Sequence, residues 1–315
     1  MKIGFLFPGQ GSQFPGMGKD LYDKYECVKK VYDNVKSITG IDIADISFEE
    51  NNEKLNETRY TQLCILTMSL GILKILQENN IEAEISAGLS LGEYTALIYS
   101  NLFNFKDGIK IVEKRGKFMS ELVPNGNWKM AAILGLDDSK VEEACKEVNT
   151  GFVVPVNYNC TGQVVISGEE KAVEKAGEIA KQLGAKRVRI LNTSGPFHTE
   201  KLLESAKALE KELKCIKFNN FNSRVVKNID GEFYENQEDF SKILMKHITS
   251  PVKFSKSLNT MLNNGIDTFI EIGPGKTLSG FIKRMETEKE INILNISDVE
   301  SLEKTIKFVK ENENE

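Results

Sequence analysis

The segment that most constrains this chain is residues 88–92, which read Gly-Leu-Ser-Leu-Gly and so form a GxSxG pattern. Residues 82–87 before it predict a short strand, and residues 91–100 after it predict a helix. A strand, a GxSxG turn and a helix in this order are typical of a nucleophile elbow, because the glycines permit a sharp turn. That turn would lift the Ser90 hydroxyl clear of the sheet. The alternative is a plain turn between two elements, and the flanking strand and helix favour the elbow.

A serine nucleophile needs a base, and the chain has only two histidines, His198 and His247. His198 follows a predicted strand end and a Gly-Pro break at residues 195–196, in a loop of the kind that commonly carries catalytic groups. His247 lies late in a predicted helix that stops before Pro251, where it would be a helix C-terminal cation. We therefore predict that His198 is the base of Ser90.

The composition excludes several classes of protein. The chain has 315 residues, enough for two domains, and its net charge of −5 gives no indication of nucleic-acid binding. We find no apolar run of membrane-spanning length, and the first eight residues predict a strand and a turn rather than a signal peptide. Five scattered cysteines without a CxxC pair argue against a disulfide framework or a zinc site. We therefore expect a cytoplasmic protein that binds no metal, nucleic acid or membrane. We also expect a monomer, which the composition does not decide.

Strand and helix patterns alternate along most of the sequence, which is typical of an α/β layer fold. The predicted strands outside the middle of the chain are residues 3–7, 82–87, 268–272 and 291–294, and the predicted helices are residues 61–76, 91–100, 105–122, 277–286 and 301–310. We therefore predict an α/β-hydrolase-like large domain with a parallel-rich sheet, formed by residues 1–126 and 193–315.

Residues 127–192 follow a different pattern. Strands at 129–134, 152–157, 163–167 and 187–191 and helices at 139–148 and 172–183 give the order βαββαβ. This order predicts a ferredoxin-like small domain inserted into the large one. Because the elbow and His198 lie on opposite sides of the insertion, we expect the site in the cleft between the two domains.

Two glycine-rich segments resemble nucleotide-binding motifs without completing them. Residues 9–13 follow the first strand, but the GxGxxG pattern requires glycine at position 14, where Phe14 stands. Residues 273–277 resemble the end of a Walker A motif, but its first glycine would fall at Ile270. Both segments are therefore interpreted as tight strand-to-helix turns.

Arg115 falls close to the apolar face of the helix predicted at 105–122. One interpretation is an arginine whose stem extends to water or that pairs with a glutamate. The other is an inward guanidinium that binds a substrate carboxylate through two parallel hydrogen bonds. The residue pattern leaves both interpretations open.

Nine motifs together carry a resemblance to a known family. In chain order they are Phe7–Gln13, Tyr60–Gln62, Gly88–Tyr94, Arg115–Gly116, Asn157–Asn159, Gln163–Gly168, Pro196–His198, Pro251–Val252 and Glu271–Gly275. With these motifs the chain closely resembles the malonyl-CoA:acyl carrier protein transacylases of type II fatty-acid synthesis, over essentially its whole length. The resemblance implies a ping-pong transfer of malonyl from malonyl-CoA to the phosphopantetheine of acyl carrier protein, with no permanently bound cofactor.

The resemblance also implies catalytic roles. Ser90 would be the nucleophile that becomes O-malonylated, and His198 its general base and acid. The backbone N–H groups of Gln10 and Leu91 would form the oxyanion hole. A backbone carbonyl would orient the histidine in place of a triad acid, at a position that is usually glutamine and is His247 here.

The substrate contacts follow from the same resemblance. Arg115 would bind the malonyl carboxylate, and Phe197 would crowd an α-branched acyl group. The polar residues of the pocket or its rim would be Gln62, Asn159 and Gln163. A basic pair, Lys186 and Arg187, would contact CoA phosphates or the acidic carrier protein.

Other functions remain open on the sequence alone. The residue before the nucleophile is usually histidine and is Leu89 here, a change that removes a polar group from the pocket. An esterase would normally carry an HGGG-like oxyanion loop, which this chain lacks. A transferase that serves a polyketide carrier and an inactive scaffold that binds carrier protein are the further alternatives.

Overall fold

The computed structural model describes residues 1–192, 195–287 and 290–312. Within them the strands are β1 Ile3–Phe7, β2 Ile85–Gly88, β3 Trp128–Leu134, β4 Val153–Cys160, β5 Gln163–Glu169, β6 Arg187–Leu191, β7 Arg224–Val225, β8 Thr268–Ile272 and β9 Asn292–Ile296. The helices are α1 Lys19–Lys24, α2 Glu26–Thr39, α3 Ile43–Phe48, α4 Thr58–Glu78, α5 Leu91–Tyr99, α6 Phe105–Glu121, α7 Asp138–Lys146, α8 Glu170–Gln182, α9 Leu203–Leu213, α10 Phe240–Thr249, α11 Phe254–Asn263, α12 Thr277–Ile282 and α13 Val299–Asn312.

Five strands form a parallel sheet in the order β7-β2-β1-β8-β9. Every residue of β1 and β8 is buried, as expected of central parallel strands that are covered on both faces. Because the strands are parallel, the turns that follow β1 and β2 meet at the edge of the sheet formed by the carboxyl ends of the strands. There the Leu89 N–H donates to the Phe7 carbonyl over 3.0 Å. This edge is where ligand sites form in open α/β sheets.

Helix α4 packs through the middle of the large domain. It is the one helix in the described residues that is long and apolar enough to cross a membrane by length and composition. In its most apolar stretch 83% of the residues are buried inside the fold, and α4 packs against α6 and α2. A buried core helix of a globular fold meets the same criteria, so α4 is explained by its packing.

The other four strands form an antiparallel sheet in the order β4-β5-β3-β6. With helices α7 and α8 this is the predicted ferredoxin-like arrangement. Side chains alternate between its two faces. Ala131 and Ile133 pack into a small core under α7 and α8, whereas Met130 and Ala132 belong to the core shared with the parallel sheet. The second face of the antiparallel sheet is therefore turned towards the large domain.

The predicted architecture is confirmed, with corrections at element ends. The strand predicted at 82–87 begins only at Ile85, and the Ala83 N–H before it donates to the Tyr99 hydroxyl rather than to a neighbouring strand. The helix predicted at 277–286 ends at Ile282, and single turns follow it. The domain boundaries at 126/127 and 192/193 stay predictions, and Thr193 lies outside the described residues.

Candidate active site

The GxSxG segment forms a sharp turn between β2 and α5. Ser90 has φ 52° and ψ −98°, a conformation that side-chain-bearing residues rarely adopt. A Cβ at Gly88 would lie 1.9 Å from the Gly92 carbonyl carbon, and one at Gly92 would lie 2.0 Å from the Phe7 carbonyl oxygen. Only glycine fits at these two positions, because a Cβ at either one would clash with backbone atoms.

Ser90 and His198 meet across a chain separation of 108 residues. The Ser90 Oγ lies 2.7 Å from the His198 Nε2, and the His198 Nδ1 lies 3.1 Å from the backbone carbonyl oxygen of His247. A carbonyl oxygen only accepts hydrogen bonds, so Nδ1 carries the ring proton. Nε2 is then free to accept the Ser90 hydroxyl proton. A hydroxyl, an imidazole and an orienting acceptor in series are the parts of an activated nucleophile.

Burial sets the charge of both histidines. Burial and the nearby positive charge of Arg115 lower the pKa of His198 to about 4. Burial also lowers the pKa of His247 well below its usual value. Both rings are therefore neutral at pH 7. A neutral His198 can act as a base, and the alternative of His247 as a helix C-terminal cation is wrong.

Arg115 points inward from α6 and is 1% exposed. Its Nη1 donates to the Gln62 Oε1 over 2.7 Å, and its Nη2 donates to the Ser90 Oγ over 3.0 Å. The guanidinium also lies 5.0 Å from the centre of the Tyr94 ring. No ion pair within the described residues includes Arg115, so the interpretation as a stem extending to water or a glutamate partner is wrong. A buried cation without a carboxylate partner is costly and is suited to an anionic ligand.

Two backbone N–H groups near Ser90 are unused. None of the hydrogen bonds in the described parts of the chain involves the N–H of Gln10 or of Leu91. Gln10 is held through its side chain, whose Nε2 donates to the Thr58 Oγ1 over 2.9 Å. The Leu91 N–H belongs to the first turn of α5, where free N–H groups stabilise negative charge. The N–H of Ser90 itself donates to the Asn228 Oδ1 over 2.7 Å and is not available.

A cavity of about 230 Å³ opens beside Ser90, between the parallel and antiparallel sheets. It is lined on the large-domain side by Gln10, Gln62, Leu89, Ser90, Arg115, Phe197, His198 and residues of α12, and on the other side by Met130, Ala132, Asn157, Asn159, Gln163 and Val165. The four predicted substrate contacts Gln62, Asn159, Gln163 and Phe197 therefore line one space with Arg115. The predicted cleft between the two sheets is present.

Individual pocket residues differ in their contacts. The Asn159 Oδ1 is buried and has no hydrogen-bond partner among the residues that the structure describes, so it is free to receive a ligand donor. The Gln163 Oε1 accepts from the Arg284 Nη1 over 2.7 Å, which links β5 to the region after α12. Within the described residues no cluster of three or more His, Cys, Asp or Glu side chains could hold a metal ion.

Lys186 and Arg187 lie away from the cavity wall. Both are exposed, and Arg187 begins strand β6. In the sheet register Arg187 pairs with Leu134, and Leu134 pairs with Gln163 on its other side. Since neighbouring strands are about 4.8 Å apart, Arg187 lies about 10 Å from Gln163 along the row. The basic pair is therefore at the same end of the sheet as the cavity rim.

Comparison with known proteins identifies the family of the chain. The acyl transferase domain family matches residues 4–312. The chain is 40% identical over 312 residues to the malonyl CoA-acyl carrier protein transacylase of Bacillus subtilis strain 168, with 98% of each chain covered. It is 39% identical over 296 residues to that of Escherichia coli strain K12, covering 93% of this chain and 96% of the other. The chain belongs to the malonyl CoA-acyl carrier protein transacylase family.

Solved structures of this transacylase family share the fold. The malonyl CoA-acyl carrier protein transacylase of Clostridium perfringens superposes with a TM-score of 0.94 at 43% identity, covering 99% of this chain and 98% of the other. A malonyl-transacylase solved in complex with its type II polyketide acyl-carrier protein superposes with a TM-score of 0.93 at 35% identity, covering 98% and 100%. Both sheets and the cleft between them are therefore parts of the transacylase fold.

Sequence reasoning missed the partners of three buried residues that are hydrogen-bonded to one another beside the nucleophile elbow. Asn228, Glu93 and Tyr234 are buried and joined by hydrogen bonds, and Asn228 contacts Ser90 directly. Asn228 is separated from Ser90 by 138 residues and lies in no motif, so no local pattern indicates its place. Glu93 belongs to the transacylase motif at 88–94, but its spacing does not reveal its partners.

Proposed function

We propose that this chain transfers a malonyl group from malonyl-CoA to the phosphopantetheine thiol of an acyl carrier protein, through an O-malonyl-serine intermediate. The observation that carries the proposal is the hydrogen-bonded Ser90–His198 pair beside the buried guanidinium of Arg115, which forms no ion pair with a carboxylate in the described part of the chain. The pair supplies acyl transfer, and the guanidinium supplies recognition of an acyl group that ends in a carboxylate. The names of the relatives support the same substrates.

In the first half-reaction the Ser90 Oγ attacks the thioester carbonyl carbon, and the His198 Nε2 takes the hydroxyl proton. The negative charge that forms on the carbonyl oxygen is held by the N–H groups of Gln10 and Leu91. A donor of this kind contributes about 3 kcal/mol to stabilisation of the transition state in acyl transfer. The carbon–sulfur bond then breaks, and His198 returns its proton to the CoA thiolate. Ser90 is left as a malonyl ester.

In the second half-reaction the phosphopantetheine thiol of the carrier protein enters the vacated space. His198 takes the thiol proton, and the sulfur attacks the ester carbonyl at the same oxyanion hole. The carbon–oxygen bond to Ser90 breaks, and His198 returns the proton to the Ser90 Oγ. The backbone carbonyl of His247 holds the imidazole in the same tautomer in both halves.

Arg115 sets the choice of acyl group. In the absence of substrate, its Nη1 and Nη2 donate to Gln62 and Ser90, which are neutral. A malonyl carboxylate would receive charge-assisted hydrogen bonds there, and acetyl-CoA would leave the cation unpaired. Phe197 lies beside His198 on the cavity wall, and its ring would crowd an α-branch.

Lys186 and Arg187 form the proposed contact for the carrier protein or for CoA phosphates. The net charge of the chain is −5, so an acidic partner needs a local basic surface. These two exposed side chains lie at the same end of the antiparallel sheet as Gln163, and Gln163 lines the cavity. Which carrier is served, that of fatty-acid or of polyketide synthesis, depends on contacts at this surface.

The location and state of the protein are part of the same proposal. We propose a cytoplasmic monomer without a permanently bound cofactor. All five cysteines lie within the described residues and are free, as is usual in a reducing compartment.

Intact-mass spectrometry tests the proposal. The protein is mixed separately with malonyl-CoA and acetyl-CoA, and the Ser90→Ala variant serves as the control. We expect the mass of one malonyl group to be added to the wild type only, and to be lost when a phosphopantetheine thiol is supplied. Release of free malonate at the rate of acylation would refute a transferase and favour an esterase, and absence of the adduct would refute the O-malonyl-serine intermediate. Binding of carrier protein without an adduct would indicate a scaffold.

A further inference from the structure

The backbone at Ser90 is held in an unfavourable conformation. A non-glycine residue at φ 52° and ψ −98° costs about 1–3 kcal/mol, and it persists only when its surroundings fix it. The glycines at 88 and 92 allow the turn, but allowing a conformation does not select it. Some other group must hold the turn closed.

Asn228 makes the contacts that close the turn. Its side-chain Oδ1 accepts from the Ser90 N–H over 2.7 Å, and its Nδ2 donates to the Gly88 carbonyl over 2.7 Å. One carboxamide therefore bridges the end of strand β2 and the nucleophile. It accepts from a backbone N–H and donates to a backbone carbonyl, as the backbone of a neighbouring strand would. Asn228 is completely buried, and water does not compete for its buried bond to the Gly88 carbonyl.

Asn228 is itself fixed through its backbone. Its N–H donates to the Glu93 Oε2 over 2.9 Å, and its carbonyl accepts from the Lys253 N–H over 2.6 Å. The other carboxylate oxygen, Glu93 Oε1, accepts from the Tyr234 hydroxyl. Since Glu93 lies in the first turn of α5, the contacts join Asn228 to the strand, the turn and the helix of the elbow.

We propose that Asn228 is a positioning residue for the nucleophile, which it holds in the attacking conformation through the bridge between Gly88 and Ser90. This rests on the proposed role of Ser90. The bridge also occupies the Ser90 N–H, so the free N–H groups of Leu91 and Gln10 are left as the oxyanion donors. Glu93 and Tyr234 act one step further away by holding Asn228.

If Asn228 has this role, its loss should affect the attack by Ser90 and not the binding of malonyl-CoA. The malonyl carboxylate would be held by Arg115 on α6 and Gln62 on α4, and neither touches Asn228 through any hydrogen bond in the described residues. Loss of the bridge should misplace the Ser90 Oγ and leave substrate binding unchanged. A displacement of about 1 Å at a reacting atom can cost about 100-fold in rate.

The experiment compares Asn228→Ala and Asn228→Asp with wild type. The aspartate side chain has nearly the same shape, but it puts an oxygen against the Gly88 carbonyl and so opens one side of the bridge. Thr260→Val is the matched control, because it removes a 2.6 Å hydrogen bond to Gly231 in the same segment, away from Ser90. The rate of labelling of Ser90 by a fluorophosphonate probe measures the nucleophile without an acyl donor. The Kd of malonyl-CoA is measured in a Ser90→Ala background.

We expect labelling and the kcat of malonyl transfer to fall about 100-fold in the alanine variant and at least about tenfold in the aspartate variant. The Kd of malonyl-CoA should stay within about twofold, and the control should label like wild type. A folded Asn228→Ala protein that labels at the wild-type rate would overturn the inference. If that variant does not fold, a wild-type rate in Asn228→Asp would overturn it, as would a parallel loss of malonyl-CoA binding. An unlabelled wild type would instead refute the proposed nucleophile itself.

Discussion

Replacement of Arg115 is the sharpest test of substrate choice. The guanidinium is 1% exposed and donates to Gln62 and Ser90, so a bound malonyl carboxylate would gain two charge-assisted hydrogen bonds there. Each such bond contributes about 1.5–3 kcal/mol, and two contribute about 3–6 kcal/mol. At about 1.4 kcal/mol per factor of ten, Arg115→Ala should lower kcat/KM for malonyl-CoA by about 10²–10⁴-fold.

The result for acetyl-CoA decides whether the loss is one of recognition. Acetyl has no carboxylate, so removal of the cation should leave its transfer rate within about tenfold. Arg115→Lys should lie between wild type and the alanine variant for malonyl-CoA, because an ammonium cannot form the two parallel bonds. The assay is stopped-flow acylation of Ser90 with each acyl-CoA. Arg59→Ala is the control, because the Arg59 side chain is partly exposed and pairs with Glu121 at the surface.

An equal fall of the malonyl and acetyl rates would refute the reasoning. It would mean that Arg115 acts through its 3.0 Å hydrogen bond to the Ser90 Oγ or through packing. The ratio of the two rates is therefore the decisive quantity, and the absolute malonyl rate is not.

Three further predictions concern the histidines and the carrier surface. His247→Gln should keep kcat within about threefold, because the acceptor for His198 is a backbone carbonyl; a loss of about 100-fold would assign a role to the ring. The pKa of His198 near 4 predicts that kcat/KM for malonyl-CoA falls only below about pH 5, and a limb near pH 6.5 would contradict it. Lys186→Glu with Arg187→Glu should raise the KM for carrier protein in a salt-dependent way without changing Ser90 labelling; an unchanged KM would remove both from the interface.

The parts of the site that local sequence encodes could be predicted. The elbow depends on five adjacent residues, and steric limits at Gly88 and Gly92 make the pattern specific. His198 could be predicted because the chain offers one alternative, and the βαββαβ order predicts the antiparallel sheet with nearly correct strand ends. The inward direction of the Arg115 side chain could not be predicted, because helical periodicity places this residue only near the apolar face of its helix.

Long-range contacts set the limit of prediction. The acceptor for His198 is a backbone carbonyl, which every residue type possesses. The residue type at position 247 therefore does not reveal this acceptor. The pairing of β7 with β2, two strands more than a hundred residues apart in the chain, brings Asn228 to Ser90. The carboxyl of Glu93 likewise gains its partners from a segment near residue 230. Such contacts follow from the fold, and no local sequence pattern predicts them.

The charges of the site connect recognition with catalysis. Burial raises the pKa of Glu93 to about 7, so this carboxyl is only partly ionised at neutral pH and does not fully balance Arg115. The unbalanced cation is one cause of the low pKa of His198.

A malonyl carboxylate bound at Arg115 would cancel that charge, so the pKa of His198 should rise in the substrate complex, when the base must accept a proton. The low-pH limb of kcat, which reports the complex, should therefore lie above the limb of kcat/KM, which reports the free enzyme. With acetyl-CoA the two limbs should coincide. Coincident limbs for both substrates would show that the carboxylate does not reach Arg115.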